Sequence, residues 1–175
     1  MWEYRGQKRP SFAESPTAGQ ESVWDYPRPP LVQSCEHLVV VETGGIASSR
    51  VGLARSTSAV RVMETASPPG YYIPEKDIDW DKLVPAPGRS VCEWKGVAQY
   101  WALASDPKSG PVGWSYPDPI AAFKMLQGYV SFYPGRVDCY VNGEKVRPQP
   151  GEFYGGWITD ELAGPFKGEP GTGHW

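Results

Sequence analysis

Short runs of β-branched and aromatic residues, separated by turns rich in glycine and proline, form most of the pattern along the chain. Residues 38–42 are apolar and mostly β-branched, and the turn residues 43–45 follow them, which predicts a hairpin. Residues 71–74 predict a further strand, and residues 90–103 predict two strands bent at Gly96. The pattern therefore predicts a mainly β fold.

The second half of the chain continues with short strands. Residues 114–116 predict one strand, and residues 129–133 and 137–141 are expected to pair with each other across residues 134–136. Asn142-Gly143 favours the next hairpin turn, because asparagine and glycine readily adopt a positive φ.

Helical spacing is confined to short segments. Apolar residues recur at helical spacing within residues 57–64, which predicts a short helix closed by Pro68 and Pro69. Residues 77–83 predict a single helical turn with acidic residues at its start. Residues 118–128 are expected to form the best helix of the chain, because three apolar residues share one face before Gly128.

The domain organisation follows from where periodicity begins. Residues 1–21 mix glycine, proline, serine and charged residues without periodicity, and we expect a loose or wrapping N-terminal arm. Residues 22–175 are expected to form a single domain that includes the glycine-rich tail. The predicted fold class is mainly β with one or two short helices.

Composition and charge exclude several functions. The net charge of −3 argues against a nucleic-acid partner, and no apolar run approaches the roughly 20 residues of a membrane-spanning helix. The chain has 3 cysteines without a Cys-x-x-Cys pair and 2 histidines, so neither a zinc site nor a Ser-His-Asp triad is expected. The first residues lack the apolar stretch of a secretory signal, and we expect a cytoplasmic protein.

Several motifs together carry a family resemblance. They are V-R-V-M-E-T-A-S-P-P-G-Y-Y-I-P at residues 60–74, C-E-W-K-G at 92–96, W-S-Y-P at 114–117 and G-Y-V-S-F-Y at 128–133. In this combination the chain resembles the domain of unknown function family 427 across about residues 35–145. The tail motifs F-Y-G-G-W-I-T and G-P-F-K-G are similar to those of the longer single-domain members.

The resemblance implies a fold more than a function. The family looks related to the β-tent proteins, in which two small antiparallel sheets meet at an angle, as in methionine sulfoxide reductase B and the ligand-binding domain of cereblon. Those relatives commonly hold zinc with two Cys-x-x-Cys pairs, which this sequence lacks, so the resemblance predicts no metal and no cofactor. The reductase activity is not implied either, because its cysteine motif is missing.

Glu93 and Lys95 are the first candidate catalytic residues. They stand two apart on a predicted strand, so their side chains are expected on one face and those of Cys92 and Trp94 on the other. In an aromatic cleft they would suit acid–base chemistry. The alternative is a solvent-facing ion pair without function.

Arg61, Tyr72 and Arg28 complete the charged and phenolic candidates. Arg61 lies three residues before Glu64 on the predicted helix, where the two either clamp an anionic ligand or pair with each other. Tyr72 or Tyr116 would supply a phenol as an acid. Arg28 stands between two prolines, and either binds an anionic ligand or caps a buried carboxylate and pins the arm.

Asp77, Asp79 and Asp81 alternate as in some magnesium sites. That spacing suits a metal only on a strand, whereas this stretch predicts a turn, and we expect helix capping instead.

Aromatic residues are unusually abundant, with 8 tryptophans and 10 tyrosines. We expect about half of them to line a cleft and the others to pack. The predicted ligand-binding residues are Arg28, Trp94, Tyr100, Trp114, Tyr116, Tyr154 and Trp157.

These residues predict a protein that binds a flat, partly polar small molecule in an aromatic cleft. It would be a cofactor-independent acid–base enzyme of the isomerase, lyase or cyclase type, or a non-catalytic binding module for a nucleoside-like or cyclic ligand. A third hypothesis is a partner-binding protein with exposed tryptophans. A homodimer is compatible with the sequence. The tail at residues 154–157 is expected to act as a lid over the cleft or as a brace on a sheet edge.

Overall fold

Short strands and 3₁₀ helices make up the regular structure of the computed structural model, which describes residues 2–175. The strands are β1 (Glu21–Ser22), β2 (Leu31–Ser34), β3 (Val39–Glu42), β4 (Gly52–Ser56), β5 (Val60–Met63), β6 (Gly70–Pro74), β7 (Leu83–Cys92), β8 (Gly96–Leu103), β9 (Gly113–Ser115), β10 (Tyr129–Phe132), β11 (Asp138–Val141), β12 (Glu144–Lys145), β13 (Arg147–Pro148), β14 (Trp157–Ile158) and β15 (Leu162–Ala163). The 3₁₀ helices are Val23–Asp25, Ala47–Ser49, Glu75–Asp77, Trp80–Lys82 and Ala121–Leu126. The prediction of a mainly β fold with short helices is confirmed.

Two antiparallel sheets form the body of the domain. The larger has seven strands in the order β2-β5-β6-β10-β9-β8-β7, and the smaller has four in the order β12-β11-β3-β4. Two further pairs, β1 with β15 and β13 with β14, attach the tail. Antiparallel sheets are the arrangement that the family resemblance implies.

The main hydrophobic core joins one face of the seven-stranded sheet to the four-stranded sheet. Tyr71, Ile73 and Phe132 from the larger sheet belong to the same buried cluster as Val39 and Val41 from the smaller. We call this side of the larger sheet its core face.

Strand alternation sends the neighbouring residues to the opposite side. Tyr72, which follows Tyr71 on β6, belongs to a second cluster with Trp114 from β9, and Tyr100 from β8 packs against it. Trp114 is directly opposite Tyr100 in the strand register, so both rings lie on this side. We call it the cavity face.

The helix predicted for residues 57–64 is wrong, because residues 60–63 form strand β5. This strand pairs with β2 on one side and β6 on the other. Pairing on both sides, together with the β-branched Val60 and Val62, outweighs a short helical pattern that has no partner of its own.

The other helical predictions differ in outcome. The segment expected to be the best helix is the 3₁₀ helix Ala121–Leu126, interrupted by a non-helical Phe123 with φ −117° and ψ 19°. Phe123 and Leu126 are nevertheless buried on one side, as expected. The predicted turn after Asp77 is present as Trp80–Lys82, and the side chain of Asp79 caps it.

The predicted pairing of residues 129–133 with 137–141 is also wrong. Strand β10 lies between β6 and β9, whereas β11 lies between β3 and β12, so the two strands belong to different sheets. The hairpin at Asn142-Gly143 is confirmed, with φ of 50° and 84° at the turn. The hairpin after residue 42 forms between β3 and β4, with a longer connection than predicted.

The N-terminal arm and the C-terminal tail pack against each other and against the domain. Trp24 contacts the rings of Tyr4, Phe12 and Trp175 at centroid distances of 5.2–5.3 Å. The backbone N–H of Glu3 donates to the carbonyl of His174 at 3.0 Å. The arm therefore wraps the domain over the described residues 2–21, and Met1 lies outside them.

None of the helices within residues 2–175 has the length and hydropathy needed to span a bilayer.

Candidate functional site

A cavity of about 380 Å³ opens on the cavity face of the seven-stranded sheet. Its walls come from four parts of the chain: the sheet itself, the turn between β7 and β8, the N-terminal arm and the C-terminal tail. The volume lies within the range of roughly 300–1,000 Å³ that is typical of small-molecule sites.

Tyrosine and tryptophan side chains from neighbouring strands form the floor. The indole Nε1–H of Trp114 donates to the hydroxyl of Tyr72 at 3.1 Å, and the two rings are perpendicular. The hydroxyl of Tyr100 donates to Ser90 Oγ at 2.7 Å. These bonds hold the rings in fixed orientations, so the floor is ordered before any ligand binds.

The floor phenols stay neutral in ordinary buffers. Burial raises the pKa of Tyr72, and burial together with the neighbouring Tyr72 hydroxyl raises that of Tyr116 far above its usual range. A neutral phenol donates a hydrogen bond, so the two hydroxyls present donors rather than negative charge.

Glu93, Trp94 and Lys95 lie in the turn between β7 and β8 and not on a strand, which corrects the prediction for these residues. Cys92 is paired with Gly96 across a three-residue loop, and Gly96 has a φ of +103°. Glycine adopts this positive φ without strain, which suits it to the end of the turn. All three loop side chains border the cavity, so Trp94 lies on the same side as its neighbours.

Lys95 is half-buried beside the floor tyrosines. Its Nζ lies 5.9 Å from the centroid of the Tyr116 ring. Burial disfavours its charge, but the electrostatic influence of Tyr72, Cys92 and Glu64 outweighs this and raises the pKa of Lys95. Lys95 is therefore a cation at neutral pH and acts as an electrostatic group rather than as a base.

Glu93 is bound by the N-terminal arm. The indole Nε1–H of Trp2 donates to Glu93 Oε1 at 3.0 Å, although the glutamate is otherwise exposed. The face of the Trp2 ring lies over the Arg28 guanidinium at 4.3 Å and over Lys167 Nζ at 3.7 Å. An arm residue thus forms one wall of the cavity.

Lys167 is a cavity residue that the sequence reading does not single out. Its side chain is buried, and Nζ donates to the main-chain oxygens of Gly173 and Trp175 at 3.1 and 3.2 Å. Burial, reinforced by the nearby charge of Arg28, lowers the pKa of Lys167 to about 8. It is the one cavity group among the described residues whose pKa is shifted to a value near neutrality.

Arg28 lies behind the cavity wall and holds the N-terminal arm in place, which is one of the two roles predicted for it. Its Nε donates to Glu64 Oε1 at 2.9 Å, and Nη2 donates to the carbonyl of Thr65 at 2.8 Å. Nη1 donates to the main-chain oxygens of Tyr4 and Trp175. Each of its three nitrogens already has an acceptor, so Arg28 does not face the cavity as a free donor.

Arg61 lies outside the cavity. It pairs with Glu21 and donates to the Tyr26 hydroxyl at 3.2 Å on the core side of β5. Helical spacing would bring Arg61 and Glu64 to one face, but on a strand residues three apart point to opposite faces. Glu64 consequently borders the cavity and Arg61 does not.

The tail forms another wall through close backbone packing. A Cβ at Gly155 would overlap the Trp114 ring, and one at Gly156 would collide with Gln149 and Pro68. Gln149 is buried and holds this segment by accepting from the Gly156 N–H at 3.0 Å and donating to the Lys167 carbonyl at 2.7 Å. Glycine is therefore required where the tail crosses the sheet.

The remaining predicted aromatics divide between cavity and core. Tyr154 is exposed at the rim, with Lys167 Nζ 5.6 Å from its ring. Trp157 is fully buried in the core, stacks on Tyr71 at 5.0 Å and donates to the Phe132 carbonyl at 2.9 Å. Trp157 therefore does not border the cavity.

The predicted residues that border the cavity are Tyr72, Glu93, Trp94, Lys95, Tyr100, Trp114, Tyr116 and Tyr154. Arg28 supports the wall from behind, and Arg61 and Trp157 lie elsewhere. Trp2 and Lys167 complete the site without having been predicted for it, and Glu64 borders it without its expected partner Arg61. A lysine inside the tail motif G-P-F-K-G is the one sequence feature that points to Lys167.

Of the three alternating aspartates, Asp79 caps a helical turn, as predicted. Asp79 accepts from the N–H of Asp81, and Asp77 accepts from the hydroxyl of Ser56 at 2.6 Å. Within residues 2–175 no group of three or more histidine, cysteine, aspartate or glutamate residues is arranged to hold a metal ion.

The family described as Domain of unknown function (DUF427) matches residues 31–143. No curated protein matches the chain.

Proposed function

Since the chain belongs to the DUF427 family, whose description assigns no activity, we propose its function from the cavity: it binds a flat, partly polar small molecule between the aromatic walls. The observation that carries the proposal is a hollow of about 380 Å³ lined by Tyr72, Trp94, Tyr100, Trp114 and Tyr116. Stacking on such rings contributes about 0.5–1.5 kcal/mol per well-placed pair beyond area burial.

Acid–base chemistry on the bound molecule is the activity that the side chains support best. Lys167, with a pKa of about 8, exchanges a proton near neutral pH, and Glu93 is a carboxylate at the same cavity. Lys95 stays charged and stabilises negative charge that develops on the substrate. An isomerase, lyase or cyclase step, in which a proton is removed from carbon and returned elsewhere, uses these groups without a cofactor.

A non-catalytic binding module is the second candidate, and the hydrogen bonds of the carboxylates favour it. Glu93 accepts from Trp2, and Glu64 accepts from Arg28. A general base must reach the proton that it removes, and bonds that must first be broken oppose this. If these bonds persist in the complex, the cavity recognises a ligand and does not transform it.

The proposed compartment is the cytoplasm. Cys35, Cys92 and Cys139 are free thiols, as is usual for proteins of reducing compartments.

Native mass spectrometry of freshly purified protein tests the binding proposal, with a thermal-shift screen of flat heterocycles as its second arm. Trp94→Ala removes a cavity wall, and Trp80→Ala is the matched control, because Trp80 packs on Trp101 outside the cavity. We expect a bound molecule or a stabilising heterocycle that Trp94→Ala loses and Trp80→Ala keeps. The proposal would be contradicted if Trp94→Ala bound the ligand as well as wild type does, or if wild type bound nothing in either arm.

Solvent deuterium incorporation separates the two candidates once a ligand is identified. An acid–base enzyme exchanges a carbon-bound hydrogen of the ligand in D₂O, and Lys167→Met or Glu93→Gln slows the exchange. A binding module leaves the ligand unlabelled while retaining its affinity.

A further inference from the structure

Two ammonium groups border the cavity without a carboxylate counter-ion. Across residues 2–175, neither Lys95 nor Lys167 has a side-chain carboxylate oxygen within 4.0 Å of Nζ, although nine other pairs of a lysine or arginine with a carboxylate meet that distance. Charged groups removed from water are normally paired, because the loss of hydration costs several kcal/mol per ion. Lys167 Nζ still has two main-chain oxygens as acceptors, whereas Lys95 Nζ has neither a carboxylate nor a main-chain acceptor among the described residues, so an anion in the cavity would give Lys95 a partner.

The carboxylates of the cavity do not fill this role. Glu64 Oε1 accepts from Arg28 at 2.9 Å, and Glu93 Oε1 accepts from Trp2 at 3.0 Å. Neither of these carboxylates forms an ion pair with Lys95 or Lys167. A ligand carboxylate would give Lys95 the counter-ion that these side chains do not supply.

One hydrogen-bond donor next to Lys95 also lacks an acceptor. The indole Nε1–H of Trp94 is buried and has no partner among the described residues. A buried donor without an acceptor costs about 1–3 kcal/mol. Trp94 adjoins Lys95, so the unpaired N–H and the ammonium belong to one turn that borders the cavity.

The aromatic walls indicate the shape and chemistry of the rest of the ligand. The floor rings of Tyr72 and Trp114 are fixed by their own hydrogen bond and offer flat surfaces, not further charge. Arg28, the one guanidinium behind the wall, has all three nitrogens bonded, so the fork that usually binds phosphate is already occupied. These features favour a carboxylate on a flat ring over a phosphate ester.

We infer that the cavity selects a planar aromatic carboxylate, with Lys95 as the anchor of its carboxylate group and Lys167 as a second cation on the tail side. The inference rests on the proposed binding function and names its ligand class. Lys95 and Lys167 are then specificity-determining residues that distinguish an anion from a neutral molecule of the same shape.

Isothermal titration with 2-naphthoate and 2-naphthamide tests the inference. The two probes share ring size and planarity and differ in charge. We expect wild-type protein to bind the carboxylate at least about tenfold more tightly than the amide, since a charge-assisted bond contributes roughly 1.4 kcal/mol or more over a neutral one. Lys95→Met should abolish this preference while leaving amide binding intact.

Lys145→Met is the matched control, because Lys145 is exposed and pairs with Asp138 on the four-stranded sheet. It should keep the wild-type preference. Equal binding of the two probes by wild type, or a preference that survives in Lys95→Met, overturns the anion inference and leaves the binding proposal standing. Failure of both probes to bind wild type at millimolar concentration overturns both. The wild-type comparison needs no variant, so it decides the question even if Lys95→Met fails to fold.

Discussion

The two faces of the seven-stranded sheet carry similar residue types, but one face is tightly packed and the other borders a cavity. On β6, Tyr71 stacks on Trp157 in a filled core, whereas the next residue, Tyr72, lies on the floor of a hollow. Aromatic content therefore does not decide which face is solid.

What differs is the layer that covers each face. The core face is covered by a second sheet, and its Val39 and Val41 alternate regularly and pack closely. The cavity face is covered by the arm, a hairpin turn and the tail, which carry Trp2, Lys95 and Lys167. Irregular segments with charged side chains cannot fill a flat surface as a sheet does, and a hollow remains.

Trp157→Ala should give the largest effect, because it empties a fully buried site. We expect a loss of about 3–5 kcal/mol in the free energy of unfolding, measured by urea denaturation. Trp94→Ala, on the cavity side, should lose about 1 kcal/mol, since part of its ring faces space that is already empty. Equal losses would mean that the two faces are packed alike.

Arg28→Met should be the next most damaging change. It removes three sets of hydrogen bonds and leaves Glu64 without its cation, at a cost of about 3 kcal/mol. Because Arg28 binds main-chain oxygens of Tyr4 and Trp175, limited proteolysis should also cut the arm faster. An arm that stays protected in this variant would show that Arg28 does not pin it.

Tyr72→Phe should cost about 1 kcal/mol, because the Trp114 indole loses its acceptor in a buried place. Tyr71→Phe is the control on the opposite face, since the Tyr71 hydroxyl has no hydrogen bond within residues 2–175. Thermal unfolding of both variants measures the difference. A larger loss for Tyr71→Phe would contradict the assignment of the two faces.

The pH dependence should be the smallest effect. The pKa of Lys167 is lowered from 10.5 to about 8 in the folded protein, so above pH 8 the unfolded chain binds more protons at this residue. Its contribution to stability therefore rises with pH, by about 1 kcal/mol or less from pH 8 to pH 9. The wild-type rise should exceed that of Lys167→Met in urea titrations over this range, and parallel curves would argue against a buried cation.

Local sequence patterns predicted several of the strands and most of the aromatic residues that border the cavity. The hairpin at Asn142-Gly143 depends on two adjacent residues, and such local preferences are visible in any sequence. Residues 93–95 border the cavity, although they form a turn and not the predicted strand.

The features that the sequence did not predict depend on contacts between distant parts of the chain. Residues 60–63 have a weak helical pattern, and only the flanking strands β2 and β6 make them a strand. That error moved Arg61 into the predicted site. Trp2 and Lys167 reach the cavity because the arm and tail fold over it, and no spacing between residues 165 positions apart in the chain indicates this.

Indole ¹⁵N–¹H correlation spectra during titration with 2-naphthoate test the central claim most directly, because each tryptophan reports its own surroundings. We predict that the Nε1–H signals of Trp2, Trp94 and Trp114 shift with saturation, while that of Trp157 stays in place. Unchanged signals for all three cavity tryptophans at millimolar probe, or shifts confined to exposed residues such as Trp80, would contradict a binding cavity on this face of the sheet.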